Sequence, residues 1–313
     1  IKNEGQQSPQ LTLWLAFGAV YIFWGSTYLA LRFVLESIPP FLMAGFRFLT
    51  AGLVMLIFAR LSHQQWPNRA ELKNSTLVGF LLLVIGNGGV VWAEQYIDSG
   101  LTALIITIEP VWVVLLLWMK SHRNKPSAVV WFGIVLGLIG MFVLVGPAEL
   151  SRQESVHTGA LIALFVSSVS WALGSIFVLR AQLPSSASMS TGVQMLSAGL
   201  MFLLISTVRA EWAIVDLSEV TTRSWLGFGY LVVFGSLLGY TAYGYIVRKA
   251  SPTSVSTYAY INPVIAVFLG WWLGNERVGV QTIVAAGLMI SAVALIIMKP
   301  SFKFNFNYKK LKL

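Results

Sequence analysis

The chain contains no cysteine, so disulfides, thiolate catalysis and zinc–thiolate sites are excluded. Its three histidines, His63, His122 and His157, fall between apolar runs, and of its aspartates only Asp98 touches one, at its edge. No HExxH pair and no nucleophile with a base in reach can be assembled from them, which leaves no basis for an intramembrane enzyme. Charge is scarce as well. Only 11% of the residues are Asp, Glu, Lys or Arg, where a soluble domain carries about 25%. The net charge of +9 would suit nucleic acid, but it sits in short connectors between apolar runs. What is abundant is apolar surface: 57% of the 313 residues are hydrophobic. A chain this apolar calls for lipid as its solvent.

A membrane span needs about 20 mostly apolar residues. The stretches that qualify are 11–31, 40–59, 75–93, 98–118, 127–146, 158–179, 188–208, 225–247, 253–273 and 279–298. Pro39-Pro40, Pro126, Pro147, Pro184 and Pro252 punctuate the connectors. No small-residue cleavage site follows the first run, so it is expected to stay as a helix. Lys and Arg favour one side. Fifteen fall on the side of the N-terminus and five on the other, with Arg47 inside a span. That bias predicts cytoplasmic ends for both termini. The tail 299–313 carries five lysines among Phe302, Phe304, Phe306 and Tyr308; an inner-leaflet contact and a solvated tail both fit it.

The first half of the chain is repeated loosely in the second. Gly45-Phe46-Arg47-Phe48-Leu49-Thr50-Ala51-Gly52-Leu53 matches Gly192-Val193-Gln194-Met195-Leu196-Ser197-Ala198-Gly199-Leu200 at an offset of 147. Glu109-Pro110-Val111 matches Asn262-Pro263-Val264 at 153, as Trp118 does Trp271, and Gly25-Ser26 pairs with Gly174-Ser175. Five spans per copy make the second copy enter the bilayer from the opposite face. The expected fold is therefore an all-α membrane protein: ten transmembrane helices as two inverted five-helix repeats, 11–146 and 158–298, around a central cavity, followed by the basic tail.

Some residues are costly in lipid. A central charge costs about 2.5–3.5 kcal/mol on insertion scales and usually faces a cavity or a partner. Glu109 lies mid-span beside Pro110, whose ring removes the donor for the Ile106 carbonyl. A carboxyl beside a broken ladder suits a proton or a substrate ammonium; the blander reading is a kink-stabilising polar group. Asn262-Pro263 repeats the kink without the charge, so Pro110 and Pro263 are hinge candidates. Arg47 lies at a comparable depth, a structural residue that either ion-pairs with Glu109 or snorkels outward. Gly86-Asn87-Gly88-Gly89 suits close helix packing, with Asn87 toward a cavity and Glu94 seven residues on along the same face. Gly133 and Gly137 form a GxxxG that serves either a homodimer or packing within the chain.

Polar and aromatic residues recur at helical spacing: Tyr21, Trp24 and Tyr28; Thr102, Glu109 and Trp112; Ser168, Trp171 and Ser175; Ser236, Tyr240 and Tyr243; Ser254, Tyr258 and Asn262. Each stripe alone reads as packing. Together they enclose an apolar, hydroxyl-rich space with one acid, suited to a small amphipathic organic solute. It holds no lysine, and an arginine only if Arg47 points inward, which argues against a phosphorylated one.

These residues resemble a known family, the ten-helix EamA-type branch of the drug/metabolite transporter superfamily. Trp24-Gly25-Ser26-Thr27 is similar to its first-helix signature, Pro40 with Arg47-Phe48 to its second-helix pattern, and Ile108-Glu109-Pro110-Val111 to a variant of its fourth helix. Tyr258 to Val264 and Gly274-Asn275-Glu276 resemble its ninth helix and the acidic stop after it. The resemblance covers nearly all of 11–298. It implies a cavity lined by helices one, three, four, six, eight and nine, and export of amino acids or other metabolites across a bacterial-type inner membrane. The first half has Lys120-Ser121-His122-Arg123 in place of the acidic stop. Small four-helix relatives couple to protons through a first-helix glutamate; spans one and six here have none, so that scheme does not transfer. The resulting expectation is an alternating-access carrier, with protons as a second cargo. An uncoupled permease or channel-like pore is the alternative, and no cofactor or metal is implied. Solute or proton contacts are assigned to Glu109, Asn262, Asn87, Trp112, Trp171, Ser175, Tyr240, Tyr243, Tyr258 and Trp24.

Overall fold

A computed structural model describes residues 9–97, 102, 105–120, 126–152, 157–274 and 279–298. Among the sequence features above, Ser121 to Arg123, Asn275, Glu276, the tail 299–313 and the side chains of Tyr28 and Trp271 lie outside the described residues.

The described chain is helical. Eight helices are long and apolar enough to cross a bilayer: Gln10–Leu35, Pro40–Leu61, Arg69–Ala93, Ala128–Val145, Thr158–Val178, Ala187–Val208, Thr222–Lys249 and Val280–Met298. The fourth and ninth spans are the broken ones. The fourth resumes as Glu109–Lys120 after a turn at Thr107 and Ile108, and the ninth is split into Pro252–Val255 and Tyr258–Gly274 by a turn at Ser256 and Thr257. In the fourth span Pro110 follows directly on the break, whereas Pro263 sits inside the resumed helix. The third span begins six residues before the apolar run because Asn68 and Glu71 close a capping box: each side chain accepts from the other's backbone N–H at 2.9 Å. The fifth helix runs on through Pro147 to Arg152, into the stretch read as a connector.

The glycine repeat explains the centre of the fold. The second and seventh spans pack face to face. Gly45 meets Leu203, Gly199 meets Leu49, Gly52 meets Leu196, and Gly192 meets Leu56. The numbers rise on one helix as they fall on the other, so the two run antiparallel. Adding 147 to the first-half member of each pair turns Gly45–Leu203 into Gly192–Leu56 and Gly52–Leu196 into Gly199–Leu49, which is the signature of a pseudo-dyad. Absence of a side chain is required here. A Cβ on Gly52 would stand 2.5 Å from the Leu196 amide nitrogen, and one on Gly199 would stand 2.5 Å from that of Leu49. Small residues of this kind let backbones meet in lipid, where apolar burial alone gives no drive to associate. The two non-glycine residues at positive φ, His63 and Ala210, both at 56°, are also 147 apart. Each ends one helix of this pair in a left-handed turn.

The remaining contacts obey the same symmetry. The fifth span packs on the tenth, the first on the eighth and ninth, and the sixth on the third and fourth. Gly133 and Gly140 of the fifth span face Ile296 and Met289 of the tenth, and Gly137 receives the Tyr260 ring. The GxxxG face is thus occupied within the chain.

The third and eighth spans each pass through a wide π-helical stretch, Phe80–Asn87 and Leu231–Tyr240. Wide turns tilt carbonyls out of the helical ladder and recur at functional sites. Neighbouring side chains take those carbonyls. Ser170 and Ser167 donate to the Leu81 and Ile85 oxygens at 2.8 and 3.0 Å, and Trp24 Nε1 donates to the Gly235 oxygen at 3.1 Å. Gly86 accommodates Trp171 as Gly239 accommodates Trp24. These contacts equate Trp24 with Trp171 at an offset of 147. The Gly25-Ser26 and Gly174-Ser175 pairing made on residue identity, at 149, is therefore two residues out of register.

Candidate functional site

The two wide-turned helices and the two broken ones meet around a cavity of about 120 Å³. Its floor is aromatic. The Trp24 ring lies 5.0 Å from Tyr243, 5.1 Å from Tyr258 and 5.6 Å from Trp171. A closed ring of hydrogen bonds holds that floor. Trp171 Nε1 donates to the Tyr243 hydroxyl at 3.1 Å, which donates to Ser175 at 2.5 Å, and Ser175 donates to the Trp171 carbonyl at 2.7 Å. Beside it the Tyr240 hydroxyl donates to Gln194 Oε1 at 2.7 Å.

The cavity extends from this floor toward one end of the bundle. Leu31 near the end of the first span, Arg47 near the start of the second, Glu94 at the end of the third and Leu231 near the start of the eighth all line it, and the up-down topology puts these positions at the same end.

Two carboxyls and one guanidinium face this space. Glu109 is 2% exposed, and the Tyr258 hydroxyl donates to its Oε2. It is positioned there by the break at Thr107 and Ile108, which starts the helix anew at the acid. Arg47 is 7% exposed. Its Nε donates to Ser236 at 2.8 Å, its guanidinium lies 4.9 Å from the Phe48 ring centre, and it rests on the bare backbone of Gly235, where a Cβ would stand 2.7 Å from Nη2. Neither expected arrangement of Arg47 is present: among the described residues it pairs with no carboxylate, and it is buried where snorkelling would expose it. Glu94 lines the cavity from the end of the third span. Its Oε1 and the Oδ1 of Asn87 are buried with no hydrogen-bond partner among the described residues. Asn262 is 3% exposed, and in the amide orientation its surroundings call for, the nitrogen donates to the Tyr258 and Tyr21 carbonyls at 3.2 and 3.3 Å. Among the described residues no three potential metal ligands come together.

Comparison with known proteins places this arrangement. The EamA-like transporter family matches residues 10–146 and again 158–298. The chain belongs to the EamA-like transporter family. It is 38% identical over 288 residues to the uncharacterized inner membrane transporter YedA of Escherichia coli strain K12, covering 91% of this chain and 90% of that one. Protein PecM of Dickeya dadantii is 25% identical, over 87% of this chain and 90% of its own. A solved crystal structure at 15% identity superimposes with a TM-score of 0.75, covering 92% of this chain and 97% of the other, which speaks to fold alone. This is a multi-pass inner membrane transporter and not an enzyme.

Within this EamA-like transporter the residues singled out from sequence fall into three groups. Glu109, Asn262, Asn87, Trp171, Tyr240, Tyr258 and Trp24 line the cavity. Tyr243 and Ser175 stand behind the floor, where with Glu109 they border a separate void of about 10 Å³. Trp112 is further out, donating to Ser168 at 3.1 Å and lying edge-on to Phe165. Pro110 and Pro263 sit on the two broken spans, Pro110 just after its break and Pro263 inside the resumed helix. Sequence reasoning assigned no site role to Glu94, Thr27, Ser167 or Gln194. From sequence Glu94 shares a face with Asn87, and nothing more marks it. Gln194 could have been found, because it stands where the repeat puts Arg47.

Proposed function

We propose that this transporter moves small amphipathic organic solutes, amino acids foremost, out of the cell by alternating access between its two repeats, with Glu109 exchanging a proton or contacting the substrate ammonium. The observation that carries the reading is the cavity itself. It is shut at one end by an aromatic floor and set with Arg47 on one wall and Glu94 and Glu109 on others. A zwitterion finds a cation for its carboxylate, acids for its ammonium and rings for its side chain. A phosphate ester meets two carboxyls for every guanidinium. The Lys and Arg asymmetry of the connectors supports cytoplasmic termini, which turns the open end of the cavity outward. Pro110 and Pro263 serve as the hinges, and residues 11–146 and 158–298 as the two moving units. Export is the direction implied by the family resemblance.

Purified protein in liposomes, assayed with labelled amino acids with and without a pH gradient, tests this. Saturable, gradient-responsive uptake with counterflow is expected. Glu109→Gln should cut the rate at least ~10-fold, within the usual reach of a proton-transferring group, and remove the response to the gradient. Unchanged rate and response would eliminate Glu109 from coupling. Uptake without counterflow would favour the pore.

A further inference from the structure

The pseudo-dyad assigns partners to residues around the open end of the central cavity. The pairs Gly45–Leu203 and Gly192–Leu56 fix 147 between the second and seventh spans. Gly235 meets Thr27 as Leu82 meets Gly174, which fixes 147 between the first and sixth and 153 between the third and eighth. Gly88 against Phe202, and Thr241 against Met55 at 3.9 Å, obey the same two offsets. Under them Leu31 maps to Val178, Arg47 to Gln194, Asn87 to Tyr240, Val90 to Tyr243, Glu94 to Val247, and Gly235 to Leu82. All six images, Val178, Gln194, Tyr240, Tyr243, Val247 and Leu82, line one small void of about 10 Å³ toward the opposite end of the bundle. That void is the image of the cavity's open end, collapsed.

The collapse has a named contact. Tyr240 donates to Gln194 across it at 2.7 Å, and Gln194 Nε2 is tied back to Ser190 at 3.0 Å. Their images, Asn87 and Arg47, both face the open cavity and make no bond to each other. Asn87 Oδ1 has no partner among the described residues, and Arg47 spends only Nε, on Ser236. One half of the molecule has made this contact and the other has not.

We propose that the void lined by Val178, Thr191, Gln194 and Tyr240 is the second mouth of the solute path, latched shut by Tyr240 and Gln194, and that Asn87 closing on Arg47 is the reciprocal latch that shuts the first mouth when the second opens. This rests on the alternating-access reading and gives it residues. In the exchanged state Arg47 donates to Asn87 Oδ1, satisfying the acceptor that is orphaned here. The second mouth carries Gln194 and Val247 where the first carries Arg47 and Glu94, so its walls lack that pair, and the charge lining it is that of Arg248.

The chain has no cysteine, so introduced thiols report alone. Leu31→Cys and Val178→Cys are dyad mates, one per mouth, and Thr191→Cys is a second reporter should Val178→Cys fold poorly. Each is reacted in proteoliposomes with a membrane-impermeant methanethiosulfonate. Two locks are then compared, each a pair of histidines bridged by Ni2+ in a double variant, Gln194→His with Tyr240→His and Arg47→His with Asn87→His, with the metal withdrawn by a chelator as the control. The first lock should slow modification at Val178 or Thr191 at least tenfold and leave Leu31 reactive; the second should do the reverse. Inert Val178 and Thr191 in the unlocked protein, or equal response to both locks, would overturn the proposal. Because the readout needs no solute, a reciprocal pattern in a protein that carries no amino acid would sink only the solute class, and amino acid transport without the pattern would sink only these latches.

Discussion

The two repeats share a frame and divide the chemistry. Where the first half has Arg47, Glu94 and Glu109, the dyad puts Gln194, Val247 and Asn262 in the second. The frame itself is kept on both sides: glycines opposite leucines, a left-handed turn ending each central helix, wide turns in the third and eighth spans and breaks in the fourth and ninth. The lesson is that backbone approach and carbonyl satisfaction must be solved twice for the fold to close, whereas charge needs to be placed only once. A lopsided site on a symmetric frame can be loaded with a solute or proton in one half and still move as two matched bodies.

The largest expected effect tests the frame. Gly52→Val and Gly199→Val each put a branched side chain against the backbone of the facing helix, and the cost should reach about 3 kcal/mol, at the upper end for overpacking. Both should lower the melting temperature of the detergent-purified protein by similar amounts. A large drop in one and none in the other would mean that the two helices do not share the interface equally.

A smaller effect marks a place where the symmetry is broken at the frame's edge. Glu211 is buried and accepts from the Leu42 and Phe41 backbone N–H groups at 2.7 and 3.4 Å, so a loop of the second half caps the second span. Its position in the first half is Gln64, a half-buried residue whose side chain donates to the Ser62 carbonyl. Glu211→Ala should therefore cost about 1–3 kcal/mol, the range for a buried donor left unsatisfied, and Gln64→Ala less than about 0.5 kcal/mol. Equal melting shifts would show that the cap contributes nothing.

Much of this was legible before any coordinates. Apolar run length gave the spans, and the Gly45 to Leu53 repeat marked the central helix pair, because glycine spacing is set by helix contact and survives divergence. Glu109 and Asn262 stood out because a polar residue beside proline is costly in lipid. The misses have physical causes as well. Identity alone put Gly25-Ser26 on Gly174-Ser175, while the interhelical contacts follow the tryptophans. A π-turn leaves no periodicity in a short apolar run, so only the glycines hinted at the third span and nothing marked the eighth. The break in the fourth span falls at Thr107 and Ile108, residues that carry no breaking signal of their own; it is the missing donor of Pro110, downstream, that leaves the turn unsupported. Arg47 was visible as a cost but not as a neighbour of Ser236, since pairing across the dyad depends on the offset of a different helix.

The smallest predicted effect separates the two wide turns. The third span's turn is served by two serines of the sixth, and the eighth span's by the Trp24 indole. Ser170→Ala removes one donor and leaves the Leu81 carbonyl in a dry interface, with Ser167 still holding Ile85 four residues on. Hydrogen bonds between membrane helices average about 0.6 kcal/mol and reach about 1.7, so the loss should sit near the lower figure. Trp24→Phe removes the indole donor to the Gly235 carbonyl and thins the aromatic floor as well, so it should cost more in stability and also slow transport. The check is to measure both variants for melting temperature and for amino acid uptake. If Ser170→Ala slows uptake as much as Trp24→Phe while barely moving the melting temperature, the wide turn of the third span is itself part of the moving machinery, and the division between a symmetric frame and a one-sided chemistry would have to be redrawn there.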